Sequence, residues 1–261
     1  MQKLILLLSL ILTMTSLKAQ PPAALAAFEA HTFTDEQSGH LLPYRVLWPQ
    51  GYDQDKKEKY PLILFLHGAG ERGVDNQLQL THGTPLFMDN QEHFPAVVLM
   101  PQCATDDYWA QMVKDEDQRR YNFNEYPNPS LAAVQKLLHT YIANENVDPD
   151  RIYLIGLSMG GMGTFELLAR EPQTFAAAIP ICGGTNPALL ALYAQQVPLW
   201  IFHGEEDPVV RVENSRRIVQ RLAALGVVPR YTEYPAVNHN SWDNAFAEPG
   251  LLEWLFGQKR R

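Results

Sequence analysis

The run from Arg151 to Gly163, Arg-Ile-Tyr-Leu-Ile-Gly-Leu-Ser-Met-Gly-Gly-Met-Gly, constrains this chain more than any other stretch. Its first half is β-branched and aromatic, the pattern of a short strand buried in a parallel sheet. Its second half holds Gly156-Leu-Ser-Met-Gly160, a G-x-S-x-G pattern. A serine at a sharp strand-to-helix turn occupies strained backbone space, so its neighbours two residues away must be nearly free of side chain. The segment Thr164 to Arg170 then carries apolar residues at helical spacing. Strand, turn and helix together predict that Ser158 is a nucleophile. The bland alternative is a glycine-rich turn with an incidental serine, and only partners elsewhere in the chain decide between them.

The N-terminus reads as a separate unit. One positive charge at Lys3, an apolar core from Leu4 to Leu12 and a small residue at Ala19 form the pattern of a secretory signal peptide, cleaved after Ala19. The expected domains are therefore a signal at 1–19 and one catalytic domain at 20–261, secreted or periplasmic. A formal charge of −8, more negative once Lys3 and Lys18 are removed, argues against nucleic acid or an anionic membrane as partner. Cys103 and Cys182 are the only cysteines, with no Cys/His spacing for zinc. Each follows a strand, and the two strands are not expected to be neighbours. Bridging needs Cα atoms within about 7 Å, so two separate buried thiols are expected.

Along the rest of the chain, His31–Phe33 and Leu41–Trp48 predict an antiparallel hairpin. Pro61–Leu66, Ala96–Met100, Phe175–Ile181, Leu199–Phe202 and Arg230–Tyr234 predict further strands. Helices are predicted at Ser130–Asn144, after the serine turn, at Arg211–Leu225 and at Asp243–Phe256. This alternation predicts an α/β fold in one domain, with a mainly parallel central sheet flanked by helices. Two stretches, Glu71–Phe94 and Gln102–Pro129, lack periodicity. The second is rich in aromatics, among them Tyr108, Trp109, Tyr121, Phe123 and Tyr126.

In such a sheet, reactive groups gather beyond the carboxyl ends of the strands. After Trp200–Gly204 comes Glu205-Glu206-Asp207-Pro208, where Asp207 is placed to orient a histidine, although Glu205 and Glu206 are close enough to compete. Of eight histidines, His239 alone sits between the last strand and the last helix. The chain order Ser158, Asp207, His239 results. His67 and His203 close strands and are read as supporting groups. The turn His67-Gly-Ala-Gly70 after a buried strand is suited to presenting backbone N–H groups to an oxyanion, with Ala69 or Gly70 as one donor and Met159 as the other.

The segments His67-Gly-Ala-Gly-Glu-Arg-Gly73, Pro101-Gln-Cys103, Gly156-Leu-Ser-Met-Gly160, His203-Gly-Glu-Glu-Asp207 and Asn238-His-Asn-Ser-Trp242 resemble the α/β-hydrolase superfamily. Within it they are similar to secreted serine esterases of the dienelactone-hydrolase, polyhydroxybutyrate-depolymerase and feruloyl-esterase group. The resemblance implies Ser158 as nucleophile, Asp207 as acid, His239 as base, and an oxyanion hole around Ala69 and Met159. It further implies a carboxylic-ester hydrolase that needs no metal or cofactor, acting on small-molecule or oligosaccharide esters such as acyl or hydroxycinnamoyl esters of carbohydrate. Trp109 and Trp242 are expected to wall the substrate site. The competing readings are a serine peptidase of prolyl-oligopeptidase type, weakened by the lack of propeller repeats, and a non-catalytic binding protein on a hydrolase fold.

Overall fold

The computed structural model describes residues 22–55, 57–114 and 119–260, so the expected signal segment 1–19 lies outside the described residues. The strands are β1 (Glu29–Thr34), β2 (Leu41–Leu47), β3 (Tyr60–Leu66), β4 (Val97–Pro101), β5 (Met112–Lys114), β6 (Arg119–Tyr121), β7 (Val147–Leu157), β8 (Ala177–Ile181), β9 (Trp200–Gly204) and β10 (Arg230–Tyr234). Eight of them form one sheet in the order β1-β2-β4-β3-β7-β8-β9-β10, while β5 and β6 pair as a separate ribbon. From β4 to β10 every pairing is parallel, and β2 runs antiparallel to both of its neighbours.

The strands alternate by face, as a period of two requires. Leu62, Leu64 and Leu66 of β3, with Ile152 and Leu154 of β7, pack on one side of the sheet. Ile63 and Phe65, with Tyr153, Ile155 and Leu157, pack on the other. The first face is covered by α3 (Pro129–Asn144), α4 (Met159–Arg170) and α5 (Glu213–Ala224). The second is covered by α1 (Pro22–Ala27), α2 (Thr84–Met88), α6 (Trp242–Phe246) and α7 (Leu251–Phe256). Each fully buried aliphatic or aromatic side chain contributes on the order of 2 kcal/mol to holding the layers together. This is the α/β-hydrolase fold.

Three local expectations change. The helix expected over Asp243–Phe256 is two short helices, because Pro249 offers no N–H and Gly250 takes a left-handed conformation at φ 76°. The stretch Glu71–Phe94 contains a 3₁₀ turn at Leu78–Leu80 as well as α2. Within Gln102–Pro129, the β5–β6 ribbon packs against the start of α4 and the loop after β9 through Ala110, Met162 and Val210. Apart from the break at Pro249-Gly250, none of these has a sequence period long enough to be read.

Cys103 and Cys182 are both free and buried, and they belong to cores on opposite faces of the sheet. Burial pushes the Cys103 thiol up to about 12 and raises that of Cys182 as well. The denatured, unreduced protein should therefore titrate two thiols with a disulfide-exchange reagent. A count of zero would mean that the two halves of the core are arranged differently.

Candidate active site

Ser158 ends β7 and opens α4 in a conformation that few serines adopt, φ 53° and ψ −113°. Such a backbone costs roughly 1–3 kcal/mol and persists only where its surroundings enforce it. Here the Ser158 N–H donates to the Ile181 carbonyl at 2.8 Å, and the Ser158 carbonyl accepts from Met162 N–H at 3.0 Å. The glycines at either end of the motif are sterically required. A Cβ on Gly156 would overlap the Gly160 carbonyl, and one on Gly160 would overlap the Leu66 carbonyl at the end of β3.

Parallel pairing brings the other groups to the same edge of the sheet. The loops after β9 and β10 are tied together by Glu205 N–H to the Tyr234 carbonyl and Glu206 N–H to the Val237 carbonyl, both 3.0 Å. Directly after these tethers Asp207 turns inward and is buried, while Glu205 and Glu206 remain exposed. Ser158 Oγ lies 2.9 Å from His239 Nε2, and His239 Nδ1 lies 2.7 Å from Asp207 Oδ2. A carboxylate facing Nδ1 fixes the hydrogen there and leaves Nε2 free to accept from the serine hydroxyl. Burial alone would raise the Asp207 carboxyl. Hydrogen bonds from His203, from His239 and from the Val210 N–H outweigh that and hold it well below the usual carboxylate range.

The turn after β3 reaches the serine from the other side. A Cβ on Gly68 would stand 3.7 Å from Ser158 Cβ. Ala69, half-buried, opens the 3₁₀ turn Ala69–Glu71, and its carbonyl accepts from Arg72 Nε at 3.0 Å. Met159 supplies an N–H in the first turn of α4, where helix amides have no intrahelical acceptor. His67 anchors this turn. Its Nε2 accepts from Cys103 N–H at 3.0 Å, so its Nδ1 carries the hydrogen and donates to the Gly68 carbonyl at 2.6 Å. Burial pulls this imidazole down to about 4, against the pull of the Gly68 carbonyl.

The two tryptophans separate. Trp242 is half-buried, edge-on to the His239 ring with centroids 5.3 Å apart, and its centroid lies 5.1 Å from that of the His82 ring. Trp109 does not wall a substrate site. It is 0% exposed, its Nε1 donates to the His67 carbonyl at 3.0 Å, and its Cβ fills the space that a side chain at Gly163 would need. An indole in the middle of an irregular stretch gave no sign of which way it faced. Sequence reading also missed the closeness of Cys182, whose Sγ lies within 4.8 Å of ligand atoms on both Asp207 and His239. That trio is the one cluster of potential metal ligands among the described residues, and two of its members are already hydrogen-bonded to each other. No helix among the described residues is long and apolar enough to cross a membrane.

Comparison with known proteins gives the class to which this geometry belongs. The phospholipase/carboxylesterase family pattern matches residues 53–248, and the chain belongs to that family. The crystal structure of a thermostable esterase superposes with a TM-score of 0.82 at 40% identity, over 91% of this chain and 64% of that one. An uncharacterized secreted protein of Arthroderma benhamiae is 26% identical over 72% of this chain, which spans 22% of its length. An endo-1,4-beta-xylanase/feruloyl esterase of Xylanibacter ruminicola is 29% identical over 59% of this chain and 21% of its own length.

The role of His67 is open to measurement. Its folded-state value is depressed, so the unfolded chain binds the proton first. The stability it contributes is present above pH 6.5 and is lost as pH falls toward about 4. The expected loss across that window is about 3 kcal/mol. Urea unfolding of wild type and His67→Gln should differ most at neutral pH and converge near the bottom of the window. A difference independent of pH would contradict a buried neutral imidazole.

Proposed function

We propose that this chain is a serine carboxylic-ester hydrolase that works through an acyl-enzyme. The observation that carries the reading is the unbroken hydrogen-bonded line from Ser158 through His239 to Asp207, built on a strained serine turn. In the forward step His239 Nε2 takes the Ser158 proton as Oγ attacks the ester carbonyl, and Asp207 stabilises the imidazolium that forms. The N–H groups of Met159 and Ala69 receive the oxyanion, each lowering the barrier by roughly 3 kcal/mol. Imidazolium then protonates the departing alcohol. Water enters along the same path, gives its proton to His239 and releases the acid, restoring the serine.

For the substrate, we infer acyl or hydroxycinnamoyl esters of carbohydrate, met outside the cell after removal of residues 1–19. Three observations support this: the export-type N-terminus, the similarity to a relative described as a xylanase/feruloyl esterase, and the half-buried Trp242 face beside His239. An indole in that position offers a flat apolar wall to a sugar or phenolic ring. No cofactor takes part in these steps.

Ser158→Ala should lower ester hydrolysis by several orders of magnitude with the fold intact, and Asp207→Asn by about 10⁴ through the wrong imidazole tautomer. Near wild-type turnover in either variant, measured on a p-nitrophenyl acyl ester, would defeat the assignment. Trp242→Ala should reduce kcat/KM for a feruloylated sugar more than for a simple acetate ester, because only the larger group reaches the wall. Equal losses, or a preference for long acyl chains, would remove the carbohydrate-ester reading and leave the esterase.

A further inference from the structure

Asp207 holds more than the bond to His239. Its Oδ2 also lies 3.3 Å from Nε2 of His203, a fully buried ring near the end of β9. That same Nε2 is 2.7 Å from the Val210 carbonyl. Both neighbours are acceptors, so Nε2 must carry the hydrogen and share it between them. The other ring nitrogen, Nδ1, is 2.7 Å from the hydroxyl of Ser215, buried in the first turn of α5. When the ring is neutral, Ser215 donates to Nδ1 and orients the ring so that Nε2–H faces the carboxylate. Meanwhile Asp207 Oδ1 accepts from Val209 and Val210 N–H, both at 2.8 Å. A carboxylate has about four lone-pair sites, and the donors at Val209, Val210, His203 and His239 account for all of them.

We propose that His203, oriented by Ser215, is a positioning residue that makes Asp207 Oδ2 share its charge between two imidazoles, and so sets where the acid limb of activity falls. The proposal rests on the triad reading above. Its physical content is competition at one oxygen. Each N–H that Oδ2 accepts draws on the negative charge that would otherwise stabilise an imidazolium at His239. With His203 in place, Oδ2 is shared between two N–H donors; without it, Asp207 Oδ2 faces His239 alone, and the acid limb of activity moves.

One rival stands nearby: burial raises the Glu71 carboxyl, whose Oε1 lies 3.7 Å from His82 Nε2, so Glu71→Gln is the background in which the His203 and Ser215 variants are compared. Asp207 is faced by His203, His239 and the Cys182 thiol, which burial keeps protonated. His203 has Glu233 beside it, its register partner on the neighbouring strand β10. The Arg216 guanidinium, with the Tyr231 hydroxyl, holds the Glu233 carboxyl below its ordinary value, so its charge is constant through the acid limb. His239 is faced by Ser158 and Trp242, with His82 and the buried carboxyl of Glu71 behind the indole.

The test is the pH dependence of kcat/KM, whose acid limb reports the base of the free enzyme. His203→Leu should move that limb upward by about half a pH unit or more. His203→Gln, whose amide can present an N–H near the place of Nε2, should keep it at the wild-type position. Ser215→Ala touches neither Asp207 nor His239, yet should shift the limb in the same direction by a smaller amount. A purely structural role would lower activity or stability in all three variants and leave the limb where it is. If folded His203→Leu superposes on wild type, the proposal is overturned. Should that variant fail to fold, Ser215→Ala decides, and an unmoved limb there overturns it. Ser158→Ala run alongside separates the two claims. Retained activity without the hydroxyl sinks the triad, whereas lost activity there with unmoved limbs elsewhere sinks only the role given to His203.

Discussion

A Cβ at Gly160 would meet the Leu66 carbonyl more closely than one at any other described glycine would meet a neighbour, and the rest of the arrangement depends on its absence. Without a Cβ at that position, the first turn of α4 can lie directly on the end of β3. That contact fixes the angle at which the chain leaves β7, and so enforces the φ of 53° at Ser158. It also brings the end of β3 alongside the elbow, so that the His67–Ala69 turn and the Met159 N–H border the same space. A methyl group at Gly160 would separate these elements before it touched the chemistry. Fold and proposed site therefore share one steric constraint, and the strain at the serine is offset by the bonds of Ser158 to Ile181 and Met162.

The second organising element is a buried carboxylate. Asp207 would be costly in a core if it were unpaired, since an uncompensated charge loses its hydration without replacement. Two backbone amides and two imidazoles replace the water that it lost. The amides come from its own loop, so the Asp207–Val210 turn and the carboxylate stabilise each other. The imidazoles come from β9 and from the loop after β10, so that the same charge ties two loops together. His67 does the complementary work near β3, where a neutral ring donates to Gly68 and accepts from Cys103.

Much of this was legible in the sequence because it is local or ordered along the chain. Apolar strands alternating with helices announced a sheet covered on both faces, and the edges of β3, β7 and β10 fell within a few residues of the observed ones. Gly-Leu-Ser-Met-Gly announced a strained turn, and the order Ser158, Asp207, His239 picked one histidine from eight. What failed was non-local. Trp109 looked like a binding surface because it lies in an irregular stretch, but its neighbours His67 and Gly163 come from two other parts of the chain. Pro249-Gly250 marks a break, but apolar spacing continues on both sides of it and reads as one helix. His203 was read as a supporting group without a partner, since its bonds to Ser215 and Asp207 depend on how β9 and α5 pack. Cys182 raised only the question of a disulfide, because adjacency to Asp207 and His239 is a property of strand order.

The central claim is that one serine, made reactive by its place in the fold, carries the chemistry. The direct measurement is the site and stoichiometry of covalent labelling by a fluorophosphonate, read by intact mass and peptide mapping. The account predicts a single adduct per chain on the peptide containing Ser158, formed by the native protein and abolished by prior unfolding or by replacing His239. A native protein that takes no label, or that takes it on another residue with Ser158 unmodified, would contradict it.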